Sequence, residues 1–249
     1  MVDTHCHLDA CEPPEHELVE RARAAGVTRL ATVGTDDRGI ERALATARDD
    51  GDVVAIVGRH PHETAGFDDG DLERIEAAAA YPEARAIGET GLDYYRDHSP
   101  REDQRRAFEA HIELAARLGM PLVVHTRAAE DDTFALLREC AGAVTVVLHC
   151  FSAPDRVEEC VEHGWLCSFA GNVTFPSATG LQAAAREVPD DLLLVETDSP
   201  YLAPQPVRGR PNEPANVVAT AQAVAALRGV AYERLEATVE ANAARVFRW

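Results

Sequence analysis

Short apolar runs alternate with amphipathic stretches along the whole chain. Runs rich in Val, Ile, Leu and Ala occupy Met1 to Cys6, Arg29 to Gly34, Val53 to Arg59, Ala84 to Glu89, Pro121 to His125, Val144 to His149, Trp165 to Ala170 and Leu192 to Asp198. Their length suits buried strands, and buried parallel strands must be covered by helices on their outer faces. Between most of them, Glu15 to Ala25, Ile40 to Asp49, Leu72 to Ala80, Arg101 to Leu118, Thr133 to Cys140 and Arg156 to His163 carry apolar residues at helical spacing. Gly26, Gly119, Gly142 and Gly164 close several of these segments, the residue type that ends a helix about to feed a strand. Strand, helix, glycine, strand, repeated to eight, predicts an α/β fold: a (β/α)8 TIM barrel, one domain over residues 1–249. The last helices are expected from Asn212-Glu213-Pro214, with Asn212 as cap and Pro214 in the first turn, and over Tyr232 to Phe247. The Pro-rich stretch Pro200 to Pro214 follows the last strand directly, which makes it a rim loop and a candidate substrate wall.

Six side chains that bind metals stand where these runs stop: His5 and His7, Glu89, His125, His149 and Asp198. His5 and His7, two apart on a strand, project from one face and can share a cation, while Cys6 between them should face away. A barrel gathers the C-terminal ends of its strands on one rim, so the six should converge there, where barrel active sites lie. Taken singly, each could bond a loop; taken together, they point to a metal-dependent hydrolase.

Composition narrows the picture. The chain carries 43 acidic and 24 basic residues, a formal charge of -19, and every basic residue is Arg. Such a surface repels polyanions and argues against a non-specific nucleic-acid coat, though not against a local phosphate-binding mouth. Abundant Asp and Glu without Lys suit a salt-loving, GC-rich source, where a Debye length of ~3 Å at 1 M salt leaves bulk charge little say over the cleft. The six cysteines fall at irregular spacings with no Cys-x-x-Cys pair, as scattered reduced thiols do. No apolar run reaches the ~18 residues of a membrane span, and no basic, then apolar leader opens the chain; a cytoplasmic location is expected.

The segments Asp3-Thr4-His5-Cys6-His7-Leu8-Asp9, Gly58-Arg59-His60-Pro61-His62, Gly88-Glu89-Thr90-Gly91-Leu92-Asp93-Tyr94-Tyr95, His149-Cys150-Phe151-Ser152, Glu196-Thr197-Asp198-Ser199-Pro200-Tyr201-Leu202 and Arg208-Gly209-Arg210-Pro211-Asn212-Glu213-Pro214 resemble, in order, those of the TatD family of metal-dependent nucleases in the amidohydrolase superfamily. The resemblance implies two divalent cations (Mg2+, Mn2+ or Zn2+), one held by His5, His7, Glu89 and Asp198 and the other by Glu89, His125 and His149. Glu89 would bridge them; the carboxylated lysine that bridges metals in many superfamily relatives is impossible in a chain without lysine. It implies DNA as substrate, cut at strand ends, with Asp198 as general base and with His60, and less firmly His62 and Arg208, at the phosphate. The sequence leaves the oligomeric state open, a monomer included. The same residues serve hydrolysis of an amide, lactone or aminoacyl ester equally well, and fold and ligands alone leave that choice open. His60 and His62 can instead fix a loop, Arg208 and Arg210 can be solvated charges, and Tyr94, Tyr95, Phe151 and Phe175 either stack on unpaired bases or pack within loops. Two departures, Ala128-Ala129-Glu130-Asp131 after His125-Thr126-Arg127 and Ala153 in place of a family glycine, bear on substrate preference and leave the ligands untouched.

Overall fold

A computed structural model describes residues 1–140 and 142–249. The eight runs become strands β1 (Val2–Cys6), β2 (Arg29–Gly34), β3 (Val53–Val57), β4 (Ala84–Asp93), β5 (Leu122–Arg127), β6 (Val146–Leu148), β7 (Leu166–Phe169) and β8 (Leu193–Val195). Neighbours in sequence pair in parallel, in the order β1 to β8. Between and after them run α1 (Glu15–Ala24), α2 (Asp37–Asp49), α3 (Asp69–Ala79), α4 (Arg101–Leu118), α5 (Glu130–Glu139), α6 (Val157–His163), α7 (Thr179–Glu187), α8 (Val217–Arg228) and α9 (Tyr232–Phe247). This is the predicted (β/α)8 barrel.

The helices form where one apolar stripe can be buried on the sheet. In α2, Ile40, Ala43, Leu44 and Ala47 recur at helical spacing and are buried against β2 and β3. Burial of Ile40 or Leu44 stabilises the packed state by about 2 kcal/mol each. Asp36 caps that helix by accepting from the Gly39 N–H at 2.6 Å, and Asp68 with Asp71 forms a capping box on α3. Gly119 and Gly164 end α4 and α6 in the left-handed conformation, as their positions in the sequence predict.

Three expectations need correcting. Helix α7 was not visible in the sequence, because Thr179–Glu187 buries only Ala184 and Ala185 and so lacks a broad apolar stripe. Asn212 does not cap a helix start that includes Pro214: α8 begins at Val217 after a short turn over Pro214–Asn216. The Asn212 amide instead donates to the carbonyls of Thr197 and Tyr201, at 2.9 and 2.7 Å, and ties the Pro-rich loop to the barrel end. Strands β4 and β5 also run past Glu89 and His125, so these two side chains stand inside strands rather than at their ends.

The seam between β8 and β1 closes through side chains and the backbone beyond β8. The buried Asp3 carboxylate accepts from the Thr197 hydroxyl at 2.6 Å and from the Thr197 N–H at 2.9 Å. The Asp198 N–H donates to the His5 carbonyl and the His7 N–H to the Ser199 carbonyl, so the two ligand-bearing segments are laced together. No helix among the described residues is long and apolar enough to cross a membrane.

Candidate metal centre

All six side chains that end the apolar runs meet at the barrel mouth, around the Glu89 carboxylate. One oxygen, Oε2, lies 3.2 Å from His5 Nε2 and 3.6 Å from His7 Nε2. Asp198 Oδ1 joins that side, 3.4 Å from His7 Nε2 and 4.0 Å from His5 Nε2. The other oxygen, Oε1, lies 2.9 Å from both His125 Nδ1 and His149 Nε2, which are 3.4 Å apart. Glu89 thus faces one imidazole group with each oxygen. Cys6, as expected of the residue between two inward histidines, turns away and donates its thiol to the Ala31 carbonyl.

The backbone at this point depends on glycine. Gly91 has φ +138°, and a Cβ there would lie 2.0 Å from the His125 carbonyl oxygen. Gly88 has φ +136°, and a Cβ would lie 2.4 Å from the Val123 carbonyl oxygen. Glycine on either side of Glu89 lets β4 press against β5, and so brings Glu89 to His125.

Sequence reasoning missed two carboxylates that stand behind the histidines. Asp93 Oδ2 lies 3.3 Å from His125 Nε2 and 2.8 Å from His62 Nε2. Glu196 Oε1 lies 3.0 Å from His149 Nδ1 and also accepts from the Cys150 N–H at 2.8 Å. Each of these imidazoles gives one nitrogen to a carboxylate behind it and turns the other toward Glu89, the arrangement by which an outer carboxylate orients a ligating histidine. A signal for both existed. Read as strands, the apolar runs put Asp93 on the face of Glu89, four residues on, and Glu196 on that of Asp198, two residues back.

His60 also reaches the centre, with Nε2 3.4 Å from Glu89 Oε1, and so enters a possible ligand set with Glu89 and His125. Its hydrogen bonds suit it to donating. Nδ1 accepts the His62 N–H at 3.1 Å, and burial pushes the imidazole down to about 4, so it is neutral and its one proton sits on Nε2. A nitrogen that carries the proton is a donor, not a ligand. His62 is not among the ligand atoms; it rests on Asp93 and beside the ring of His98, 4.6 Å away. Arg208 lies over the ring of Phe175, 4.0 Å from its centroid. Of the other rim aromatics, Phe151 is buried against Phe169, Tyr94 bonds Asp132 through its hydroxyl, and Tyr95 is exposed.

Electrostatics suit bound cations. Burial opposes ionisation of Glu89, yet the imidazole of His149, with those of His60 and His5 and the hydrogen bond from His125, outweighs it and holds the carboxyl well below its usual range. Asp198 is likewise buried and held low by its hydrogen bond to His7 and by His149. Burial works against charge on His7, His125 and His149, but the facing carboxylates prevail and raise all three. Burial lowers His5, with the charge of His149 beside it. Without an ion, both nitrogens of His5 and Oε2 of Glu89 are buried with no hydrogen-bond partner. Buried polar atoms are rarely left so, and a divalent cation would satisfy Nε2 of His5 and Oε2 of Glu89 together.

Comparison with known proteins agrees with this geometry. A family model for TatD related DNase matches residues 2–248. The chain is 37% identical over 252 residues to the uncharacterized metal-dependent hydrolase YabD of Bacillus subtilis (strain 168), covering 100% of this chain and 99% of that protein. It is 36% identical over 245 residues to the 3'-5' ssDNA/RNA exonuclease TatD of Musicola paradisiaca (strain Ech703), covering 95% and 93% respectively. The crystal structure of YJJV, a TatD homolog from Escherichia coli k12, superposes with a TM-score of 0.93 at 27% identity, over 100% of this chain and 98% of that one. The chain belongs to the TatD related DNase family and is, like its relatives, a metal-dependent hydrolase.

Proposed function

We propose that the protein hydrolyses phosphodiester bonds in DNA, removing nucleotides from strand ends, with two divalent cations at the barrel mouth. The observation that carries this reading is Glu89, one oxygen toward His5, His7 and Asp198 and the other toward His125 and His149. Those two groups, sharing Glu89, would hold the cations. The donors, mixed imidazole and carboxylate, accommodate Mg2+, Mn2+ or Zn2+. Such cations supply an acidified water and positive charge opposite phosphoryl oxygens.

The protein's own groups then have separate tasks. Asp198, with 12% of its side chain exposed against 2% for Glu89, is the carboxylate that incoming water can reach, and it accepts the proton of the attacking water. His60 donates a hydrogen bond from its Nε2–H to a phosphoryl oxygen and keeps the proton. Arg208 orients the phosphate from the Pro-rich loop, and His62, held on Asp93, braces His60 by its backbone N–H. Glu196 and Asp93 keep His149 and His125 turned toward Glu89.

Purified protein, stripped of metal and resupplied with Mg2+, Mn2+ or Zn2+, tests the reading on end-labelled single- and double-stranded oligonucleotides. Stepwise shortening from an end, abolished by chelator, is the expected result. Turnover of a lactone, amide or aminoacyl ester with no oligonucleotide cleavage under any cation would replace it with carbon-centred hydrolysis.

A further inference from the structure

Arg127 is two residues beyond His125 on β5, so both side chains project from the same face, toward the barrel mouth. The guanidinium is exposed and lies 4.2 Å from the centroid of the Tyr95 ring. Among the described residues Arg127 has no carboxylate partner, in a chain with 43 acidic residues against 24 basic ones. Its neighbours on this side are taken up by acids, Arg101 by Asp97 and Arg105 by Glu109, while Arg96 lies 5.8 Å from the centroid of the same Tyr95 ring. Tyr95 is held in place from the metal side. It is 64% exposed and packs into no core, yet its place is fixed, because its N–H donates at 3.0 Å to Asp93, the same carboxylate that holds His125.

An exposed cation–π pair contributes only about 0.5–1 kcal/mol, so stability does not account for leaving a large ring in water under an unpaired guanidinium. Recognition does. The ring fixes the guanidinium without using its N–H groups, which stay free for phosphate oxygens, and it keeps an apolar surface open at the mouth. We propose that Tyr95 and Arg127 form a strand-holding subsite of the nuclease mouth: Arg127 binds the phosphate next to the scissile one, and the Tyr95 ring takes the unpaired base attached to it. Base stacking of this kind requires a base free of its complement, so the occupant is single-stranded nucleic acid. This rests on the phosphodiesterase reading above and adds to it where the strand lies, across β4 and β5.

The test is binding of a fluorescein-labelled oligothymidine with phosphorothioate linkages to the metal-loaded protein, followed by anisotropy across a salt series, with cleavage of the ordinary oligonucleotide measured alongside. Arg127→Gln should weaken binding about tenfold and flatten the slope of log affinity against log salt by ~0.7, the value for one lost phosphate contact on a single strand. Tyr95→Ala should weaken binding about tenfold with the slope unchanged, and Tyr95→Phe should restore it. Arg127→Lys should keep the slope and lose only part of the affinity. Wild-type protein that binds and cuts the strand, with all four variants within twofold of it and parallel salt slopes, would overturn the subsite and leave the phosphodiesterase reading standing. Failure of the wild type to bind or cut any strand would remove that reading itself.

Discussion

Residue identity sorts the histidines at the mouth by what stands behind each one. His125 and His149 are backed by carboxylates, Asp93 and Glu196, whereas His60 is backed by an N–H, and this difference suits the first two to ligation and the third to donation. Replacing Asp93 by Asn keeps its shape and removes its charge. Cation affinity should then fall ~10–100-fold, read by competition with a chelating dye, and an unchanged affinity would show that Asp93 does not position His125. Asp198→Asn should retain most of its cation affinity through the amide oxygen but lose ~10²–10⁴-fold in turnover. A variant with near-normal turnover and the acidic limb of the wild-type pH profile would transfer the proton-accepting role to another group. All six proposed ligands were legible because each stands at or near the end of an apolar run. Asp93 was missed, although alternation puts it on the face of Glu89, because which histidine a carboxylate backs is fixed only when the neighbouring strand is placed.

At the scale of elements, the strands were legible from β-branched runs and most helices from their apolar stripes. Helix α7 failed that test, its alanines offering too little contrast, and the seam was invisible because Asp3 and Thr197 lie 194 positions apart. Helix α4 hides a pH-sensitive joint. His111 is fully buried, its Nδ1–H donates to the Ala107 carbonyl at 2.6 Å, and its Nε2 accepts the Arg59 N–H at 3.1 Å, which anchors the loop that carries His60. Burial pushes its imidazole down to about 4. An unfolded histidine titrates near ~6.5, so the folded chain binds this proton less readily. The contribution to stability is full above ~6.5 and is lost as pH falls toward 4, amounting to about 2 kcal/mol at pH 5. Urea unfolding in chelator at pH 8 and pH 5 should therefore show a smaller pH penalty in His111→Gln than in wild type. Equal penalties would remove His111 from the account.

The whole molecule sets a charge of -19 against a mouth proposed to accept an anionic strand. Opposed charges coexist because screening confines surface effects to ~8 Å at physiological salt, while Glu89 and Asp198 are buried among imidazoles and would be neutralised by cations. The proposed bridged pair of ions rests on Glu89, the carboxylate between both imidazole groups in a chain that has no lysine to replace it. Counting metal ions per chain by mass spectrometry, after loading with Mn2+ and removal of excess, tests this most directly in wild type and Glu89→Gln. Two ions in the wild type and loss from both positions in the variant is the predicted result; two ions retained by Glu89→Gln would contradict a centre organised around that carboxylate.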